Sequence, residues 1–104
     1  MELDEIKKPI FEGINAPNIT ALENTNKVLL NLNLQKFKFN VESSTAEGIA
    51  ILFKVNDKYA DIECLNDGDI LFCIQNKNSD VEIWNVDQLD LDQSILKITS
   101  FLES

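Results

Sequence analysis

Alternation of apolar and polar residues is the dominant pattern in the middle of the chain, and it predicts β-strands that each bury one face. The alternation is interrupted at four places by asparagine, aspartate, serine and glycine, which are typical of turns and loops. We therefore expect five strands that follow one another as an antiparallel meander. The predicted strands cover residues 37–41, 49–55, 58–64, 70–74 and 81–86.

The turns determine the register predicted for the central strands. Asn56-Asp57 is typical of a two-residue hairpin turn, and such a turn places Ile51 opposite Ile62. The next turn is predicted as the three-residue loop Asn66-Asp67-Gly68, with Gly68 in the left-handed conformation. A two-residue loop would direct the larger apolar side chains of the following strand away from the core.

Two segments outside the strands have the periodicity of helices. Asn18 suits the N-cap of a helix that runs from residue 19 towards residue 34, in which several asparagines make packing more important than helix propensity. Leu30, Leu32 and Leu34 also alternate, which leaves the C-terminal end of this helix open. The C-terminal segment begins with Asp90 and Gln93 at the spacing of a capping box and continues with apolar residues on one helical face. This segment predicts the second helix.

These elements predict an α+β fold in a single domain that spans residues 1–104. Residues 1–17 are interpreted as an N-terminal arm of helix and loop, with a short helix over residues 3–8. The expected architecture is one or two N-terminal helices, a five-stranded antiparallel meander and a C-terminal helix, with the helices packed on one face of the sheet. A chain of 104 residues can bury such a core without metal or disulfide bonds.

The helix-free face of the predicted sheet has a mixed composition. We expect Ile83 to lie opposite Ile74, a register in which Trp84 points to this face. The face would then hold the only tryptophan and the only tyrosine of the chain, together with carboxylates and aliphatic side chains. Such a mixture is found on ordinary protein surfaces, and it is also typical of a binding surface with aromatic anchors.

Several residue types that catalysis needs are missing. The chain has no His, and all nine of its positively charged residues are Lys. Without His it lacks the usual general base and the commonest metal ligand, and without Arg it lacks bidentate contacts to phosphate. The aspartates near turns and helix starts are explained by turn and N-cap chemistry. We therefore expect no enzymatic activity, no metal and no cofactor.

The two cysteines and the apolar runs give expectations about the cellular environment. Cys64 and Cys73 fall on opposite faces of the predicted sheet, so we expect both thiols to be free. The longest apolar runs are strand-sized, and the first residues are acidic where a secretion signal would be basic. The sequence thus predicts a cytoplasmic protein that does not contact membranes.

Charge is distributed unevenly along the chain. Residues 57–104 hold eleven acidic residues against three Lys, a net charge of −8, whereas residues 1–56 have a net charge of −1. This asymmetry is explained either by solubility or by an acidic surface that attracts a basic protein, and it argues against direct nucleic-acid binding. For the second explanation, the candidate partner-binding residues are Tyr59, Asp61, Glu63, Asp67, Asp69, Asp80, Glu82 and Trp84.

Three segments together form a recognisable signature. Residues 58–64 read Lys-Tyr-Ala-Asp-Ile-Glu-Cys, residues 66–70 read Asn-Asp-Gly-Asp-Ile, and residues 81–86 read Val-Glu-Ile-Trp-Asn-Val. This pattern resembles a strand–turn–strand signature of small uncharacterised bacterial α+β proteins. The resemblance covers about thirty residues. It implies the fold and brings no assigned activity or catalytic residue.

The function predicted from these features is that of a small, acidic, non-enzymatic inhibitor. It would be of the antitoxin or anti-defence (anti-CRISPR-like) type that bacteria and phages encode. Its carboxylates would take the place of phosphates on the basic surface of a nuclease or another nucleic-acid-binding effector. The alternative is a structural or assembly module, a homodimer that buries the mixed face. An enzyme with paired carboxylates ranks last.

Overall fold

The computed structural model of the chain describes residues 15–76, 78 and 80–104. The predicted short helix over residues 3–8 lies outside this range. The described elements are helix α1 (Ile19–Leu29), a 3-10 helix (Leu34–Lys36), strands β1 (Phe39–Ser44), β2 (Gly48–Val55), β3 (Lys58–Leu65), β4 (Ile70–Gln75) and β5 (Val81–Asn85), and helix α2 (Leu91–Glu103).

The five strands form one antiparallel sheet in chain order, which confirms the predicted meander. Helix α1 packs against β2 and β3, and α2 packs against β3 and β4. Val28 of α1 and Ile98 of α2 share one core cluster with Ile62 and Phe72 of the central strands. Both helices therefore cover the same face of the sheet, as expected.

The predicted register of the three central strands is confirmed. Ile51 lies opposite Ile62, and the hairpin between β2 and β3 turns with Asn56 at a φ of 56°. Residues of β3 and β4 pair around the three-residue loop Asn66-Asp67-Gly68, where Gly68 has a φ of 97°. The two turns thus match the alternation of the strands on either side, so the larger apolar side chains enter the core.

The predicted register of β5 is wrong by one residue. Ile83 does not lie opposite Ile74; it lies opposite Cys73, and Trp84 lies opposite Phe72. A shift of one residue reverses the face of every side chain on a strand. Trp84 therefore points into the helix-covered core, where it is 6% exposed, and Ile83 points to the other face.

The physical reason for this register is the environment of Trp84. Its ring stacks on Phe72 with 5.6 Å between centroids and 9° between planes. Its indole N–H donates a hydrogen bond of 2.8 Å to Oγ of Ser94, a buried residue of α2. The opposite register would place the smaller Ile83 in the core and would remove the buried partner that a tryptophan N–H needs.

Both predicted N-caps are confirmed. Oδ1 of Asn18 accepts a hydrogen bond of 3.0 Å from the backbone N–H of Ala21, at the start of α1. Oδ1 of Asp90 accepts one of 2.9 Å from the backbone N–H of Gln93, at the start of α2. Each cap satisfies a backbone donor that the helix itself leaves without a partner.

Helix α1 is shorter than the helix predicted from residue 19 towards residue 34. It ends at Leu29, and the side chain of Asn31 then accepts a hydrogen bond of 2.9 Å from the backbone N–H of Asn33. Asparagine side chains compete in this way with helical hydrogen bonding. The resulting turn carries Leu34 into the core, where it is fully buried.

We expect Gly68→Val to lower the free energy of unfolding by about 1–2 kcal/mol, because a β-branched residue resists positive φ. A Cβ at Gly68 would meet only the Thr20 side chain, at an ordinary 3.8 Å, so the loss would come from the backbone. Urea unfolding of both proteins measures the difference. Gly68→Asn is the control and should lose less, since asparagine tolerates this region. A Val variant as stable as the parent would contradict the turn.

The Trp84–Ser94 hydrogen bond generates a second prediction. Ser94→Ala should cost about 1–3 kcal/mol, because it leaves the buried indole N–H without a partner. Trp84→Phe removes the donor together with part of the ring. The double variant should therefore lose less than the sum of the two single losses, as measured in a double-mutant cycle by urea unfolding. Strictly additive losses would show that the two side chains do not interact.

Candidate functional site

One side of the sheet carries neither helix, and we call it the open face. Its side chains alternate along each strand with those that enter the core. The open face consists of Asn40, Glu42 and Ser44 on β1, Gly48, Ala50, Leu52 and Lys54 on β2, Tyr59, Asp61, Glu63 and Leu65 on β3, Leu71, Cys73 and Gln75 on β4, and Val81, Ile83 and Asn85 on β5.

The centre of the open face holds two neighbouring carboxylates on β3. Asp61 and Glu63 are two residues apart, and the row through Asp61 places Leu52 on one side and Cys73 on the other. The hydroxyl of Ser44 on β1 donates a hydrogen bond to Oε1 of Glu63. The central strand β3 thus presents two carboxylates on the open face, among apolar side chains.

The surroundings of Asp61 change its acidity. Partial burial, and to a smaller extent the nearby negative charge of Glu63, raise the pKa of Asp61 from 3.8 to about 6. The carboxylate is therefore ionised at neutral pH but incompletely solvated. Such a group gains more from a cationic partner than a fully hydrated carboxylate does.

Two depressions meet at the centre of the open face. One has a volume of about 570 Å³ and is lined in part by Leu52, Tyr59 and Asp61. The other, of about 390 Å³, is lined in part by Glu42, Asp61 and Glu63. The surface around Asp61 is thus concave, with one end aromatic and the other acidic.

Tyr59 lies at the aromatic end and is 48% exposed. Nζ of Lys54, its neighbour on β2, lies 5.5 Å from the centroid of the tyrosine ring. A tyrosine placed in this way offers an apolar ring and a hydroxyl to a partner at a small cost in conformational entropy.

The structure brings only three of the predicted partner-binding residues together, namely Tyr59, Asp61 and Glu63 on β3. Asp67 and Asp69 lie in the turn between β3 and β4, where Oδ1 of Asp67 accepts a hydrogen bond of 2.9 Å from the backbone N–H of Asp69. They extend from one end of the sheet and are exposed.

Asp80 is exposed and precedes β5 at the opposite end of the sheet. The six residues of β4 separate the two ends by about 20 Å. Asp80 and the aspartates of the turn between β3 and β4 therefore lie at opposite ends of the sheet, away from the carboxylates in its middle.

Two predicted partner-binding residues lie on the wrong face. Glu82 points to the helix-covered side, where its carboxylate forms an ion pair with Lys97 of α2. Trp84 is buried against Phe72, and Nζ of Lys97 lies 4.5 Å from the centroid of its indole ring. Trp84 is thus a core residue and offers no ring to a partner.

The prediction missed three residues of the open face. Ile83 and Val81 on β5 are 65% and 52% exposed, and Glu42 on β1 lines the acidic depression. The incorrect β5 register placed Val81 and Ile83 on the core face, so the prediction did not include them. The size of Trp84 was the signal that indicates the correct register. Burying Trp84 removes more apolar area from water than burying Ile83, so Trp84 is favoured in the core and Ile83 then lies on the open face.

Both thiols are free, as predicted. Burial raises the pKa of Cys64 to about 11. The pKa of Cys73 is raised by burial first and then by the charges of Asp61 and Glu63. Neither sulfur is therefore a thiolate at neutral pH, the form that acts as a nucleophile or binds metal.

The described part of the chain has neither a metal-binding cluster nor a membrane-spanning helix. Residues 15–76, 78 and 80–104 contain no cluster of three or more Cys, Asp or Glu side chains arranged to hold a metal ion. None of the helices in these ranges has the length and apolar character needed to cross a membrane.

Comparisons of the chain with protein-family models, with curated proteins and with solved structures find no match. The resemblance of residues 58–86 to small bacterial α+β proteins therefore stays a prediction. What the chain does has to be inferred from the open face itself.

The raised pKa of Asp61 generates a prediction about stability. An acid that binds its proton more tightly when folded stabilises the folded state at low pH, and this contribution is lost as pH rises from about 4 through about 6. Asp61→Asn should remove this pH dependence. Because the carboxyl is only partly buried, we expect a gain of about 1 kcal/mol at pH 7.

Urea unfolding of both proteins at pH 4 and pH 7 measures this effect. Asp87→Asn is the matched control, because it removes an exposed carboxylate and changes the net charge equally. Equal gains for the two variants at pH 7 would assign the effect to net charge and not to the site of Asp61.

Proposed function

We propose that the chain is a non-enzymatic protein-binding inhibitor that covers a basic, nucleic-acid-binding surface of its target with the open face. The observation that supports this most directly is the concave acidic centre of that face, where Glu42, Asp61 and Glu63 line one depression. Among the described residues no helix lies over these carboxylates, and Tyr59 is an exposed aromatic side chain beside them.

The electrostatics of the acidic centre suit a basic partner. Lysine and arginine side chains that contact phosphates on a nucleic acid also form strong hydrogen bonds with carboxylates. Asp61 is the carboxylate that gains most, because its neighbours already keep water partly away from it and raise its pKa. A cation placed against it would restore the solvation that burial removes.

The aspartates at the two ends of the sheet have a different role in this proposal. Asp67 and Asp69 lie at one end of the sheet and Asp80 at the other, and all three are exposed. Their charges add to a field that draws a basic protein toward the sheet and increases the rate of association. The acidic centre and Tyr59 would make the central contacts with the target.

The proposed target is a nuclease or another nucleic-acid-binding effector, and the chain would act in the cytoplasm as an antitoxin or as an anti-defence protein. A homodimer through the open face is the second candidate, and the exposed side chains of Val81 and Ile83 favour it. The net charge of −9 opposes it, because two copies would bring their acidic centres together.

The test uses the chain as bait in a lysate of its native host, with two double variants for comparison. Asp61→Lys with Glu63→Lys reverses the acidic centre. Glu23→Lys with Asp92→Lys is the matched control, because it changes the net charge equally at two exposed residues on the helices. We expect the first variant to bind the captured protein at least about tenfold more weakly, and the control to bind like the parent.

Two further properties of the captured protein decide between the mechanisms. It should be released by competing DNA or RNA, and its affinity should fall below pH 6, where Asp61 becomes protonated. If both double variants weakened binding of the captured protein equally, the acidic centre would contribute only through the net charge of the chain. A partner that binds the chain and nucleic acid simultaneously would contradict inhibition by occlusion.

A further inference from the structure

The free edge of β5 is a second feature of the sheet that suits a partner. Strand β5 is last in the sheet order, so it pairs with β4 on one side, and no described strand lies on the other. An unpaired strand edge presents backbone donors and acceptors that an extended segment can bind by adding a strand.

The hydrogen-bonding pattern identifies which backbone groups of β5 are free. The backbone N–H of Val86 donates to the carbonyl of Ile70, and that of Asn76 donates to the carbonyl of Asp80, both at 3.3 Å. Antiparallel strands bond through alternate residues, so the even-numbered residues of β5 face β4. The backbone N–H and C=O groups of the odd-numbered residues therefore point away from the sheet.

The free backbone groups coincide with exposed apolar side chains. Val81 and Ile83 are odd-numbered, and their side chains are 52% and 65% exposed on the open face. The third odd residue, Asn85, already has a partner, because its backbone N–H donates to Oε1 of Gln88 at 3.0 Å. The available edge is therefore centred on Val81 and Ile83.

Strand β5 lacks two of the residue types by which proteins prevent strand addition at an edge. Strand β5 contains no Lys and no Pro, and its one charged residue, Glu82, is held on the helix-covered side by Lys97. The edge strand at the other side of the sheet differs, since β1 presents the polar Asn40 and Glu42 on the open face. Of the two edges, β5 is the one with an apolar surface beside it.

The charges around β5 determine which occupant fits. Asp80 precedes the strand and Asp87 follows it, both exposed, while the charge of Glu82 is matched by Lys97. A second copy paired antiparallel along this edge would bring these acidic ends near one another. An extended segment with Lys or Arg at both ends and apolar residues between them would complement the edge instead.

We propose that the free edge of β5 binds an extended basic segment of the partner as a sixth strand of the sheet. This inference rests on the proposed function, since it supplies the segment by which a basic target would dock. Backbone hydrogen bonds to Val81 and Ile83 would hold the segment, and its alternate apolar side chains would pack beside Ile83 on the open face. Its basic ends would meet Asp80 and Asp87.

The probe for the test is a synthetic peptide of about ten residues, with two Lys at each end of an alternating Val-Thr core. Hydrogen exchange by NMR of the full chain reports on the edge. On adding peptide, the amides of Val81 and Ile83 should exchange at least about tenfold more slowly. A peptide of the same sequence with N-methylated core amides has equal charge and should give no such protection.

Two substitutions make the test specific to the edge. Ile83→Lys adds the charged side chain typical of protected edges and should weaken peptide binding about tenfold. Leu96→Lys is the matched control, because Leu96 is also an exposed aliphatic residue, 55% exposed on α2, and the change in net charge is equal. The control should bind the peptide like the parent.

A third substitution acts on the backbone. Ile83→Pro removes the outward N–H without removing a hydrogen bond to β4, so the fold should persist while protection at Val81 is lost. The inference would be overturned if Ile83→Lys and Leu96→Lys weakened peptide binding equally and the peptide did not slow exchange of the Val81 and Ile83 amides. If reversal of Asp61 and Glu63 then abolished peptide binding, the acidic centre would remain the docking site and the proposed function would stand.

Peptide binding to the variant with a reversed acidic centre tests strand addition separately from the proposed function. Protection of Val81 and Ile83 that survives reversal of the acidic centre would support strand addition at the β5 edge. The role of the acidic centre would then still be decided by how the captured target binds the two double variants. If the parent sedimented as a dimer and Ile83→Lys dissociated that dimer, the inference would be overturned. The occupant of the edge would then be a second copy of the chain.

Discussion

The arrangement of both faces of the sheet depends on where the indole of Trp84 is placed. Its ring stacks on Phe72 of β4, and its N–H donates to Ser94 of α2, so one side chain joins the last strand to its neighbour and to the helix above. Because side chains alternate along a strand, the burial of Trp84 also determines the position of Ile83 on the open face. The same contact thus stabilises the core and exposes an apolar residue at the edge.

The open face combines this apolar edge with an acidic centre, and the two have different physical origins. The acidic centre arises from β3, where alternation places Asp61 and Glu63 on the face opposite the buried Ile62. The concave surroundings keep Asp61 partly desolvated and raise its pKa. The proposed basic ligand would suit this site, because a cation placed against a partly desolvated carboxylate restores the solvation that burial removes.

The turns and helix caps that could be predicted follow from interactions between residues close together in the sequence. Turn residues such as Asn56 and Gly68 adopt positive φ, and their spacing specifies the pairing of β2, β3 and β4. The caps at Asn18 and Asp90 follow from side chains that bond backbone donors within the next turn. Such signals act within a few residues, so the sequence contains them in readable form.

Long-range packing accounts for the parts that were not predictable. The loop before β5 has no turn signature that selects a register, and both registers present apolar residues to the core. The choice required the partner of the indole N–H, Ser94, which lies ten residues further along the chain. A similar constraint acts at Gly48, where a Cβ would lie 2.3 Å from the carbonyl oxygen of Cys64 on the neighbouring strand.

Alternation and turn chemistry are local, so the order of the elements, the two hairpins and the placement of Tyr59, Asp61 and Glu63 on one face could be predicted from the sequence. The burial of Trp84 and the pairing of Glu82 with Lys97 depend on tertiary packing. The tertiary structure also separates the acidic turns from the acidic centre. These outcomes depend on which side chains meet across strands and helices, and that competition for the core involves residues far apart in the chain.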